Sequence, residues 1–224
     1  MNKKNNLLNV FYLLVPGFVL LISFTHIPAV KTLMNSFYST AKGRRESKFV
    51  GLENYETLWQ DATFWKVFSN NIIYALGVIP TSILLSLGMA LWVNSKIIGR
   101  PFLRFSYFLP TVLPLIAVGN IWLFFYAPGF GLIDQIVTSL GFQSLNILGS
   151  QESSLFGVMA VGIWKEAGFY MIFYLAGLQA IPPDLKEAAM IEGANKWYIF
   201  WRITFPLLTP TTLFVSVNAV INSF

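Results

Sequence analysis

Cysteine is absent from the 224 residues, histidine occurs once, and only 11% of the chain is charged. Without cysteine there is no disulfide, no thiolate metal site and no cysteine nucleophile, although the absence fixes no redox compartment. The lone His26 has no acidic neighbour and no second histidine at ligand spacing, so it is assigned no metal or proton-relay role. The chain also lacks a glycine-rich phosphate loop ending in Gly-Lys-Ser/Thr. Soluble domains carry roughly 25% charged residues. The low charge here, with 55% hydrophobic residues, 17% aromatics and a positive mean hydropathy, reads as an integral membrane protein. Seven Trp and nine Tyr suit the aromatic belts found where helices leave a bilayer. The net charge of +5 is modest. Its bases lie mainly in loops, where they read as topology signals and lipid headgroup contacts and not as a nucleic-acid stripe.

About 20 apolar residues cross the hydrocarbon core as a helix. Five segments qualify: about 8–30, 71–93, 105–127, 155–181 and 207–224. The first follows Lys3 and Lys4 like a signal peptide, but it is long for one and lacks a small-x-small cleavage site, so it is read as a retained helix. Between the first two spans, Lys42-Gly43-Arg44-Arg45-Glu46 forms a mobile turn before Phe49-Val50-Gly51-Leu52-Glu53-Asn54-Tyr55 and a short amphipathic stretch to Phe68. Eight bases (Lys3, Lys4, the 94–104 loop and the 182–206 loop) fall on one side of the membrane and six, all from 31–68, on the other. The loop 128–152 carries no Lys or Arg and is the clearer vote for outside. Together these place the N-terminus and the 182–206 loop in the cytoplasm. Pro80, Pro110 and Pro114 each remove a backbone donor inside a span and read either as packing kinks or as a hinge or cavity wall. Asn70, Asn71, Asn120 and Gln179 are expected to hydrogen-bond between helices.

The 182–206 loop is the most structured of the polar segments. Pro182-Pro183 stops the preceding helix, and Asp184 is expected to cap a new one, with Glu187 three residues later reaching back in a variant of the capping box. Ala188 and Ala189 are small enough for another surface to approach the backbone. Gly193 supplies the positive φ that ends about two turns of helix. Asn195 then caps a second helix, Lys196–Phe205, whose Trp197, Tyr198, Phe200 and Trp201 lie at headgroup level, and Pro206 ends the segment. Physically, such a loop can dock on a partner or lie on the membrane surface.

The pattern Glu187-Ala188-Ala189, three residues, Gly193, nine residues, Ile203-x-Phe205-Pro206 resembles the signature of membrane subunits of binding-protein-dependent ABC importers, with Phe205 where the family has Leu. The likeness extends to the Phe49–Tyr55 segment, Phe108-Leu109-Pro110, Gly131-Leu132-Ile133 and Gly177-Leu178-Gln179-Ala180-Ile181-Pro182, and points to permeases for sugars, oligosaccharides and glycerol-3-phosphate. The resemblance implies an all-α, polytopic transmembrane bundle of the type I importer kind, a single permease domain over 1–224 in the cytoplasmic (inner) membrane. It also implies that the signature segment couples to a cytoplasmic ATPase through Glu187, Ala188, Ala189, Gly193, Ile203 and Pro206. The implied partners are a second permease subunit, ATP-binding subunits and an external solute-binding protein, besides membrane lipid. ATP would be bound and hydrolysed on the partner, with no cofactor on this chain. Such permeases have a sixth span after the signature, so the chain is expected to be truncated at its C-terminus.

Lys165 and Glu166 are the only adjacent charges within an apolar span. Burying each in lipid costs on the order of 2.5–3.5 kcal/mol on insertion scales. As helix neighbours they point about 100° apart and pair poorly with each other. They read either as the wall or rim of a hydrophilic cavity, where Lys165 binds a hydroxyl-rich or anionic solute, or as residues snorkelling to the interface. A membrane-embedded enzyme would need convergent His, Asp, Glu or Ser groups, which these spans lack. The other readings are a permease for a different solute class, such as a polyamine or another small organic solute, and a secondary transporter, which would show matching broken helices with embedded acids.

Overall fold

The structure, a computed structural model, describes residues 3–39, 47–95, 98–151 and 153–224, with side chains from residue 10 onward. The expected turn Lys42–Glu46 lies outside the described residues. Two compact units are present, Met1–Val67 and Phe68–Phe224.

In the first unit, α1 (Lys3–Leu21), a π-helical turn (Ile22–His26) and α2 (Ile27–Asn35) form one helical run, of which Val10–Asn35 is long and apolar enough to cross a membrane. The helix therefore continues five residues beyond the span read from the sequence, because Lys31, Thr32 and Asn35 are polar but compatible with helix. Within the π turn, His26 Nδ1 lies 3.2 Å from the Leu21 carbonyl. The Phe49–Tyr55 segment folds back on the end of α2: Val50 N–H donates to the Phe37 carbonyl at 2.9 Å, and Ser39 N–H to that of Lys48 at 2.8 Å. Asn54, in α3 (Glu53–Gln60), holds this fold by donating from Nδ2 to the carbonyls of Ser36 and Tyr38 at 2.8 and 2.9 Å. One amide thus satisfies two carbonyls freed at a helix end.

The second unit is built on α8 (Ser154–Ala180). Its buried residues Ala167, Tyr170, Met171, Tyr174, Leu175 and Leu178 recur at three- and four-residue intervals, so they form one stripe. Against that stripe pack Leu87, Ala90 and Val93 of α4 (Ala62–Asn94), together with Leu208 and with Val215 and Ala219 of α12 (Thr209–Ser223). Between helices in lipid, van der Waals fit replaces the hydrophobic effect as the attraction, and small residues allow the approach. Gly168 shows this directly: a Cβ there would run into the Tyr107 backbone carbonyl of α5 (Arg100–Val112). Gly177 likewise faces Thr211 and Leu208, whose side chains a Cβ would meet at 2.7 and 2.9 Å.

The second span is longer than expected, since α4 starts at Ala62, and two of the five spans are not single straight helices. The segment 105–127 is not one straight helix: α5 and α6 (Leu115–Phe125) meet at a 101° bend. The cause is Pro114, whose ring pushes the preceding residue out of the helical region; Leu113 is extended, with ψ 135°. Pro80 and Pro110 lie inside α4 and α5 without such a break. The final segment is also bent, by 64°, between Lys196–Leu207 and α12. Among the described residues, three helices are long and apolar enough to cross a membrane, or five if each bent pair is one span.

The base-free loop carries α7 (Leu132–Ser139) and folds around one carboxylate. Asp134 accepts from the Ser144 hydroxyl at 2.7 Å and from the Leu145 and Gly129 amides at 2.8 Å each. The Ser144 and Leu145 hydrogen bonds hold its carboxyl below the ordinary carboxylate value, against the opposing pull of burial, with the Gly129 amide adding to them.

The four polar residues expected to bridge helices make no such bridge within this chain. Asn70, Asn71, Asn120 and Gln179 are exposed, and no hydrogen bond from their side chains occurs among the described residues. Each falls on the outer face of its helix, where the 3.6-residue period carries it away from the core stripe.

Candidate functional site

A cavity of about 730 Å³ opens within the second unit. Tyr74, Val78 and Ser82 of α4 form one wall, Thr111 and Leu115 flank the Pro114 break on another, and Gly162, Lys165, Glu166 and Tyr170 of α8 face Asn222 of α12. The broken helix is therefore part of the cavity wall. Both Lys165 and Glu166 line it from near the middle of α8, half-buried. No ion pair joins them among the described residues, in keeping with their angular separation on the helix.

The polar lining is partly committed. Ser82 donates to the Val78 carbonyl at 2.6 Å, Tyr126 to that of Gly157 at 2.9 Å, and Thr111 to that of Lys165 at 3.3 Å. The Asn222 amide donates to the Tyr170 hydroxyl at 3.4 Å, linking α12 to α8. Trp122 Nε1 is buried with no hydrogen-bond partner, and its ring stacks edge-on with Trp164 at 5.5 Å. Sequence reading missed Tyr74, Trp122, Tyr170 and Asn222. Tyr170 stood four residues after Glu166, on the same helix face, but nothing in the sequence placed α12 or α4 opposite it.

The second feature is the segment after α8. Here α9 (Pro183–Ile191) starts earlier than expected: Pro182 is the N-cap, Pro183 takes the first helical position, and Asp184 makes no cap hydrogen bond. Proline wins that place because its missing N–H would be unsatisfied there in any case. Glu187 is consequently too far along for a capping box and projects into solvent. The helix end follows expectation. Gly193 has φ +84°, its N–H donates to the Met190 carbonyl at 3.1 Å, and the Ala194 N–H reaches that of Ala189 at 2.9 Å. This is a Schellman closure, which needs the left-handed residue that glycine supplies. Ala188 is exposed and Ala189 buried.

Asn195 caps the next helix as expected, its Oδ1 accepting from the Tyr198 amide at 2.8 Å. That helix does not end at Pro206. It runs as α10 (Lys196–Ile199), a π-helical turn (Phe200–Thr204) and α11 (Phe205–Leu207). Pro206 lies inside this continuous run, directly after the π-helical turn, and the chain turns at Leu208 instead. Thr204 is buried, Ile203 half-buried and Pro206 exposed, while Phe200 and Phe205 pack on the core cluster around Tyr174 and Leu208. Trp197 and Trp201 remain outside, ring to ring at 5.7 Å.

Residues 82–224 match the binding-protein-dependent transport system inner membrane component family. The chain belongs to that family. It is 35% identical over 212 residues to the osmoprotective compounds uptake permease protein of Synechocystis sp. (strain PCC 6803), covering 92% of this chain and 74% of that protein. It is 30% identical over 213 residues to the trehalose/maltose transport system permease protein of Thermococcus litoralis, covering 95% and 72%. A crystal structure of a bacterial ABC transporter that imports the acidic polysaccharide alginate superposes with a TM-score of 0.78 at 26% identity, over 96% of this chain and 73% of that one. The chain is thus a multi-pass ABC importer permease of the inner membrane, a transport component and not an enzyme. The signature segment lies inside residues 82–224, as does the cavity lining apart from Tyr74, Val78 and Ile79.

Proposed function

We propose that this permease subunit supplies half of an import pathway for a sugar, oligosaccharide or glycerol-3-phosphate type of solute, with the cavity between α4, the α5–α6 break, α8 and α12 as the solute station. The observation that carries the reading is the cavity itself: about 730 Å³, walled by aromatic rings, and holding Lys165 and Glu166 at mid-helix. Charged groups at that depth are retained where they face a solute path or water. A relative that carries trehalose and maltose and a structural neighbour that imports alginate support a saccharide.

In this reading α9 is the coupling element. Glu187 and Ala188 present the docking face to a cytoplasmic ATP-binding subunit, Ala189 and Gly193 fix the helix and its end, and Ile203 and Pro206 belong to the arm that carries movement to the core. The N-terminus lies in the cytoplasm. ATP is hydrolysed on the partner, this chain holds no cofactor, and a second permease and an external solute-binding protein complete the transporter. All 224 residues serve this one permease domain.

The test is a reconstituted transporter with its second permease, ATP-binding subunits and binding protein. V161W, which fills the cavity, should abolish uptake while the ATP-binding subunits still co-purify. A188W, on the exposed face of α9, should release those subunits. Normal uptake with V161W, or full retention of the ATPase by A188W, would show the reading to be wrong.

A further inference from the structure

We propose that Glu166 makes the cavity selective for uncharged, hydroxyl-rich solutes over anionic ones. The inference rests on the cavity being the solute station. Family membership leaves solute charge open, since one relative is named for trehalose and maltose and the structural neighbour imports an acidic polysaccharide.

The lining of the cavity carries one cation, Lys165, and one anion, Glu166, so it offers no net positive field to an anion. Glu166 shares the cavity lining with Tyr74 of α4 and with Tyr170, one turn further along α8, whose hydroxyl accepts from the Asn222 amide of α12 at 3.4 Å. Residues of three helices therefore line the same cavity as the carboxylate. Other lining hydroxyls, those of Ser82, Tyr126 and Thr111, are already bonded to backbone carbonyls. The other polar groups of the lining are the Glu166 carboxylate, the Lys165 ammonium, the Tyr74 and Tyr170 hydroxyls and the Asn222 amide.

An ionised carboxylate accepts hydrogen bonds and donates none. Sugar hydroxyls supply the donors it lacks. The phosphate, sulfonate or carboxylate group of an anionic sugar adds further acceptors and a like charge, in surroundings that screen less than water. Lys165 is the one opposite charge in the lining, about 100° around the helix from Glu166 and with no ion pair between the two among the described residues, so an anion drawn to Lys165 still meets the like charge of Glu166 in the same cavity. The Tyr74 and Trp122 rings add apolar faces for the C–H side of a sugar ring.

A matched pair of probes isolates charge from shape: trehalose and trehalose 6-phosphate, radiolabelled, in flow dialysis against the assembled transporter in nanodiscs without its binding protein. The wild type should prefer trehalose by about tenfold or more. E166Q should bring that preference towards parity, mainly through tighter binding of the phosphate, whereas E166D, which keeps the charge, should retain it. K165M should leave trehalose preferred. Equal or tighter binding of the phosphate by the wild type overturns the proposal, as does a preference unchanged in E166Q or binding of neither sugar at millimolar concentration. Each of those outcomes leaves the V161W uptake result standing, so a failure here is distinguishable from failure of the transport reading.

Discussion

Two residues show how a single group closes a loop in this protein, one by charge and one by backbone geometry. Asp134 ties together Gly129, Ser144 and Leu145, which come from both ends of the base-free loop. Its carboxyl is held low, so its contribution to loop stability is fully present above the unfolded-chain value of about 3.9 and is lost as pH falls through the lower folded-state value. D134N should therefore speed amide exchange at Leu145 and Gly129 at neutral pH, and the difference from wild type should shrink under strongly acidic conditions. Gly193 works differently. A Cβ there meets no atom, so G193A introduces no clash but must hold φ +84°. Forcing an L residue into that region costs roughly 1–2 kcal/mol. Exchange of the Ala194 amide should accelerate about tenfold or more, since that amide closes the helix end. An unchanged rate would mean that the turn is held by something other than its glycine.

At the scale of elements, α8 is the post against which the second unit is assembled, and Gly168 sets its closest crossing. G168A places a methyl group against the Tyr107 carbonyl, which is backbone and cannot swing aside. Overpacking of this kind typically destabilises by about 1–3 kcal/mol, so the variant should lose thermal stability in detergent, measured beside G119A as a control whose Cβ meets open space. The helices themselves were legible in the sequence because apolar length fixes them, and Gly193 and Asn195 announced their caps by residue type. The start of α9 was less legible. Asp184 and Pro183 both suit a helix beginning, and only the backbone shows that proline took the first position and left the aspartate inside the turn. Pro206 suggested an end to the segment, but the helical run continues through it after the π turn and the chain turns at Leu208. Pro114 gave the opposite outcome to Pro80 and Pro110, and the difference is the extended Leu113 before it.

For the whole molecule, the signature segment and the cavity are joined through one core. Phe200 and Phe205 of the arm after α9 pack on the cluster that includes Tyr170 and Tyr174, and Tyr170 also lines the cavity. A displacement of α9 by a partner has a contiguous path of packed side chains to the cavity wall. Lys165 and Glu166 were legible as misfits in an apolar span, but their surroundings were not. Tyr74 and Asn222 lie some 90 and 56 positions from Glu166 along the chain, and only the packing of α4 and α12 on α8 brings them together. The absence of cysteine provides the direct measurement. A single cysteine at Gly119, which lines the cavity and has open space at its Cβ, can be challenged with a membrane-impermeant thiol reagent in the assembled transporter and compared with a cysteine at the exposed Leu213 of α12. Labelling of G119C that changes severalfold between the nucleotide-free and ATP-trapped states, while L213C stays constant, is the predicted result. Labelling of G119C that is the same in both states would contradict a cavity that opens and closes under the control of the partner ATPase.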